Sequence, residues 1–87
     1  MIENPAPYIE AALSSLGIIC RSLDIQNYDP EHFGNLAAMV ETDKGHLHIT
    51  YDREFYVEAK PWRSGSPSME QIAAALEQHK RIERNGS

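Results

Sequence analysis

Apolar residues in this chain recur at two different periods, and the switches between them mark out its elements. From Ile9 to Leu16 the spacing is helical: Ile9, Ala12, Leu13 and Leu16 share one side of a 3.6-residue turn, with Glu10, Ser14 and Ser15 opposite. Asn4 can cap this helix, Pro5 and Pro7 fall in a first turn where a missing N–H costs nothing, and Gly17 predicts its end. The period then drops to two. Ile18 to Gln26 reads as a first strand, with clear alternation from Leu23 onward, Leu23 and Ile25 facing one way and Ser22, Asp24 and Gln26 the other. Arg21 interrupts its inward face. Asn27 to His32 is turn-rich and reads as a loop.

Leu36 to Glu41 gives a second strand, led in by Phe33-Gly34-Asn35, where Gly34 permits a bulge or sharp bend. Thr42-Asp43-Lys44-Gly45 predicts a tight hairpin in which Gly45 supplies a positive φ. The cleanest alternation follows: Leu47, Ile49 and Tyr51 on one face, His46, His48, Thr50 and Asp52 on the other. Asp52-Arg53-Glu54 is a short polar turn. Phe55, Val57 and Ala59 then form the inner face of a fourth strand, leaving Tyr56, Glu58 and Lys60 outside, and Pro61 ends it. After the Ser64-Gly65-Ser66 loop a helical pattern returns at Met69, Ile72, Ala73 and Leu76. Ser66 is placed as its N-cap, Pro67 at its first position and Glu70 in its first turn. Glu77 and Arg81 pair on the wet side, and the pattern weakens beyond Lys80.

This order predicts an α+β fold: a four-stranded antiparallel meander with N- and C-terminal helices packed on one face, α-β-β-β-β-α. Residues 1–84 form a single domain and 85–87 a frayed tail. The opposite sheet face should meet water, since His46, His48, Thr50, Tyr56, Glu58 and Lys60 point there.

Size and charge narrow the functions. Eighty-seven residues suit one domain, which buries only about 60% of the surface of its unfolded chain. At 41% hydrophobic and 24% charged residues, the chain is too apolar to be disordered. Thirteen acidic against eight basic residues give −5, which opposes nucleic-acid binding and favours either plain solubility or a basic partner. Cys20 is the only cysteine, so no internal disulfide forms, and a reducing compartment is expected. Met1–Pro7 lacks the basic and apolar regions of a signal peptide, and no apolar run reaches the ~20 residues of a membrane span. The expected location is the cytoplasm.

No residue set carries a strong catalytic signature. His46 and His48, two apart on a strand, could clamp a metal, but zinc needs three or four ligands and no spacing marks His32, Asp52 or Glu58 as the third. Two solvated histidines on a polar face is the plainer reading. Asp52 and Glu54 flank Arg53 at an exposed turn, where burial cannot separate their pKa values for acid–base work. Cys20 reads as a buried inert thiol, and no phosphate-binding glycine loop or nucleophile elbow occurs. No cofactor is expected. Tyr56 and Trp62 both follow the outward parity of the fourth strand and, with Arg63, have the composition of an interface hot spot. The competing reading folds Trp62 back over the core edge against the last helix.

Phe33-Gly34-Asn35 leading into a strand, followed by a turn, a second strand and Asp52-Arg53-Glu54-Phe55-Tyr56-Val57, resembles small bacterial immunity-type and uncharacterised proteins. The likeness spans about residues 16 to 80, with Glu54 standing where the family's Asp-Arg-Gly turn has glycine. It implies a non-enzymatic cytoplasmic protein that binds and neutralises a toxin domain, or an uncharacterised relative. The sequence thus leads to an acidic protein-binding module using Asp52, Arg53, Tyr56, Glu58 and Trp62 against a protein with a basic surface. The alternatives are a self-associating homodimer and, third, a metal-dependent enzyme built on His46 and His48.

Overall fold

Two helical stripes and four strands meet around one core. The computed structural model describes residues 2–86, in which helix α1 (Ala6–Ser15), strands β1 (Cys20–Asp29), β2 (Asn35–Thr42), β3 (Gly45–Tyr51) and β4 (Phe55–Trp62), and helix α2 (Met69–Gly86) follow in order. The strands form one antiparallel sheet in the order β1-β2-β3-β4. Helix α1 lies against α2 and β1, and α2 against α1 and β4, so both cover the same face. This is the expected α-β-β-β-β-α fold. Its core takes Tyr8, Ile9, Ala12 and Leu13 from α1, Leu36, Ala38 and Val40 from β2, Leu47 and Ile49 from β3, and Ile72, Ala75 and Leu76 from α2. Each fully buried Leu or Ile contributes about 1.5–3 kcal/mol, so the two central strands and the facing helix stripes hold the layers together.

The helix ends follow from local hydrogen bonding. The N-cap of α1 is Pro5, whose carbonyl accepts from the Ile9 N–H at 3.2 Å, and not the expected Asn4, which lies one residue earlier and whose Oδ1 accepts from the Ala6 N–H at 3.0 Å. At the other end Gly17, with φ +75°, lets the Gly17 N–H reach the Ser14 carbonyl and the Ile18 N–H reach that of Leu13, both at 3.0 Å. This double closure buries Ile18 beside Leu13 and turns the chain into β1. Helix α2 begins two residues later than Ser66 and Pro67 suggest. Its cap is Ser68: the Gln71 N–H donates to Ser68 Oγ at 3.1 Å while the Ser68 N–H donates to Gln71 Oε1 at 2.9 Å. Such a reciprocal box satisfies two donors at once, which a lone serine at 66 does not. Ala75 joins Ile72 and Leu76 in the core, while Ala73 is half-buried. The helix continues to Gly86, into the segment expected to fray, and Ser87 lies outside the described residues.

The strands depart from simple alternation at three bulges. In β1 the pairing slips between Cys20 and Ser22 and again between Ile25 and Asn27, making Arg21 and Gln26 the extra residues. Arg21 is therefore looped out rather than forced inward. The second slip carries β1 through Asn27 and Tyr28 to Asp29, correcting the loop expected there; Tyr28 pairs with Leu36 and so joins Leu23 and Ile25 on the inner face. In β4 the slip lies between Ala59 and Trp62, where Lys60 and Pro61 oppose the single residue His46. Pro61 thus does not end the strand. Edge position and bulge together tolerate its missing N–H.

Gly34 sits in the β1–β2 turn at φ +76°, next to Phe33 at +62°. In the β3–β4 turn it is Arg53 that takes the left-handed conformation, at +66°, so glycine is not required at position 54. The β2–β3 turn is organised by Thr42, whose buried hydroxyl accepts from the N–H groups of Lys44 and Gly45 at 3.0 and 3.1 Å and donates to the Gly45 carbonyl at 2.8 Å. Asp43 ties this turn to the start of β1: its Oδ1 accepts from the Ile19 N–H at 2.9 Å and its own N–H donates to the Ile19 carbonyl at 3.1 Å.

Candidate functional site

With both helices on one side, the other face of the sheet is bare. The pairing aligns its residues in three rows. Ser22, Glu41 and His46 make one; Asp24, Met39, His48 and Glu58 cross all four strands in the second; Asn27, Ala37, Thr50 and Tyr56 make the third. Met39 is 39% exposed and Tyr56 53%, large apolar surfaces for an uncovered sheet. A shallow groove of about 100 Å³ runs between Met39, His46, His48, Glu58 and Lys60. Carboxylates Asp24, Glu41 and Glu58 outnumber Lys60 on this face.

The site residues expected from sequence divide. Asp52, Arg53, Tyr56 and Glu58 are all exposed, at the β3–β4 turn and on the outer side of β4. Tyr56 is chemically joined to that turn: the Glu54 carboxylate, by hydrogen bond and then by charge, raises the Tyr56 hydroxyl above its usual pKa, with Asp52 adding a smaller push. Trp62 is not among them. The bulge at Lys60–Pro61 reverses its parity, so it pairs with Gly45, packs half-buried against the core and donates its indole N–H to the Pro67 carbonyl at 2.9 Å. The outward expectation for Trp62 fails at that bulge, and the competing reading describes its place.

His46 and His48 do share the outer face. His46 Nδ1 lies 3.6 Å from Glu41 Oε1, and no group of three His, Cys, Asp or Glu side chains gathers anywhere among the described residues. Cys20 is half-buried at the start of β1, and burial, then the Glu10 charge, raise its pKa, leaving it a poor nucleophile.

A second feature escapes sequence reasoning. At the end of the sheet holding the β1–β2 and β3–β4 turns, a half-open pocket of about 240 Å³ lies between the strands and α2. Tyr8, Tyr28 and Tyr51 line it, with Phe33 and Lys80 at its walls. The Lys80 ammonium stands 4.4 Å above the Tyr51 ring; that ring tilts against Phe55, which meets Tyr8 in a T-shaped contact. The Tyr28 hydroxyl donates to the Ile2 carbonyl. These residues come from α1, β1, a turn, β3 and α2, and no spacing along the chain brings them together; the excess of tyrosine over phenylalanine, four to two, was the only available signal.

No helix among the described residues is long and apolar enough to cross a membrane. Compared with known proteins, the chain matches no family model, no curated protein and no solved structure.

Proposed function

We propose that this chain acts by binding rather than catalysis, as an immunity or antagonist module that lays the bare face of its sheet on a basic protein surface and occludes it. One observation carries the reading: a four-stranded sheet left uncovered on one side, presenting exposed Met39 and Tyr56 among the carboxylates Asp24, Glu41 and Glu58. Aromatic anchors supply the affinity of such a contact, and complementary charge supplies its speed and selectivity. Four strands about 4.8 Å apart and about seven residues long span roughly 450 Å², whereas a stable interface covers about 800 Å² per partner. The adjoining turn at Asp52, Arg53 and Glu54 belongs to the same footprint for that reason. A second copy of the chain is the poorer occupant, because two such faces would appose like charges. The likeness to immunity-type proteins points the same way.

The test is affinity capture from the native host with the intact chain, followed by titration of the captured protein. Tyr56→Ala should weaken binding by about thirtyfold, a hot-spot loss of about 2 kcal/mol. Glu58→Lys should weaken it further at low salt than at high salt. Capture of nothing specific, or a dissociation constant unmoved by both changes, overturns the reading.

A further inference from the structure

We propose that the tyrosine-lined pocket between β1, β3 and α2 is a binding site for a small carboxylate with a flat apolar body. Three independent features converge on it. The first is an unanswered donor. Tyr8 is 1% exposed, and its hydroxyl is one of two buried side-chain polar atoms among the described residues with no hydrogen-bond partner, the other being Asn35 Oδ1. A buried hydroxyl left unpaired costs roughly 1–3 kcal/mol, so its retention inside a pocket wall marks a place where something accepts from it. Burial, reinforced by the nearby charges of Tyr28, Tyr51 and Glu77, pushes this hydroxyl far above its ordinary pKa, so it stays protonated and can donate.

The second feature is Lys80. Its ammonium lies over Tyr51 and against Gly34, and no carboxylate pairs with it among the described residues. Among the described residues this cation therefore has no ion pair where it meets the cluster of Tyr8, Tyr51 and Phe55, although Glu77 lines an adjoining hollow. The third is Phe33, which stands 73% exposed at φ +62° on the pocket rim. A bulky residue in the left-handed region is strained, and an exposed phenyl gains nothing from burial to offset that strain. A flat ligand lying on Phe33 at the pocket rim would supply the missing contact.

The dimensions set the class. About 240 Å³ is the liquid volume of roughly eight waters at ~30 Å³ each, which limits the ligand to about one ring and one acid group. The carboxylate accepts from the Tyr8 O–H and the Lys80 ammonium, and the ring lies on Phe33 at the rim. The site is separate from the outer sheet face, so it stands or falls independently of the partner reading.

The experiment titrates sodium benzoate, with benzyl alcohol as its neutral counterpart, into the isotope-labelled full chain while amide resonances are followed. Benzoate should shift Gly34, Tyr51 and Lys80 saturably, at about millimolar dissociation constant, with benzyl alcohol at least about tenfold weaker. Tyr8→Phe removes one unpaired oxygen and keeps the packing, so the variant folds; it should weaken benzoate by about tenfold. Lys80→Gln should weaken it several-fold without touching benzyl alcohol. Shifts that do not saturate, shifts outside these residues, or a Tyr8→Phe variant that binds benzoate like the parent each overturn the proposal.

Discussion

Gly45 meets two demands that no other residue type can satisfy together. Its φ is +143°, and a Cβ built on it would stand 1.9 Å from the Pro61 carbonyl oxygen and 3.1 Å from the Trp62 ring. Backbone cannot yield as a flexible side chain can. Gly45→Ala should therefore destabilise the fold by roughly 2–4 kcal/mol, read as a lower urea midpoint. Asp43 works through charge instead. The Ile19 N–H, aided by Lys44 and opposed by burial, holds its carboxyl below the usual value of 3.8. A lowered native pKa means the ionised form stabilises the fold above that ordinary value and stops doing so as pH falls through the lowered one. The stability gap between the parent chain and Asp43→Asn should thus be present at neutral pH and close under acid, when denaturation midpoints are compared; a gap constant across that range would discount the carboxylate's role. At this scale the sequence was legible for Gly45, whose positive φ the hairpin pattern demanded, but not for its contact with Pro61. For Trp62 the sequence offered two readings, outward on the sheet face or folded back over the core edge, and the alternation alone favoured the wrong one. One bulge two residues earlier reverses the side to which it points, and bulges leave no periodic trace.

Elements whose apolar period runs unbroken were readable, and those crossed by a bulge or an ambiguous cap were not. Strand β3 holds Leu47 and Ile49 buried and His46 outside because no slip interrupts its pairing with β2. Strand β1 contains two slips, and Asn27 and Asp29 near its end carry turn-favouring side chains, so local composition argued for a loop where cross-strand pairing with Leu36 and Asn35 prevails. At the start of α2 the sequence pointed to Ser66 whereas the cap is Ser68, and the difference rests on Gln71. Ser68→Ala should cost about 1 kcal/mol by thermal or urea unfolding, while Ser66→Ala should cost only a few tenths. Equal losses would mean that the box at Ser68 and Gln71 is not what starts the helix. The outer-face site was half legible for the same reason: alternation in β3 and β4 gave Tyr56 and Glu58, whereas the row through Asp24 and Met39 required the register across four strands.

For the whole molecule, a radius of gyration of 12.0 Å equals the roughly 12 Å expected of a compact domain this long. Its sheet has two free edges, and each is blunted: β1 by bulges at Arg21 and Gln26, β4 by Lys60, Pro61 and a bulge of its own. Association through a shared edge is thereby discouraged, and the bare face is left as the broad surface on offer. That face and the tyrosine pocket lie on opposite sides of the sheet, so Tyr8→Phe should spare the proposed partner contact and Glu58→Lys should spare the proposed benzoate site. The same separation has an optical consequence. Trp62 is the chain's one tryptophan, held by the Pro67 carbonyl where β4 hands over to α2 and turned away from the bare face. Its emission is a built-in gauge of whether the helical layer is docked, so one unlabelled sample can report unfolding on a channel that a ligand on the bare face does not touch.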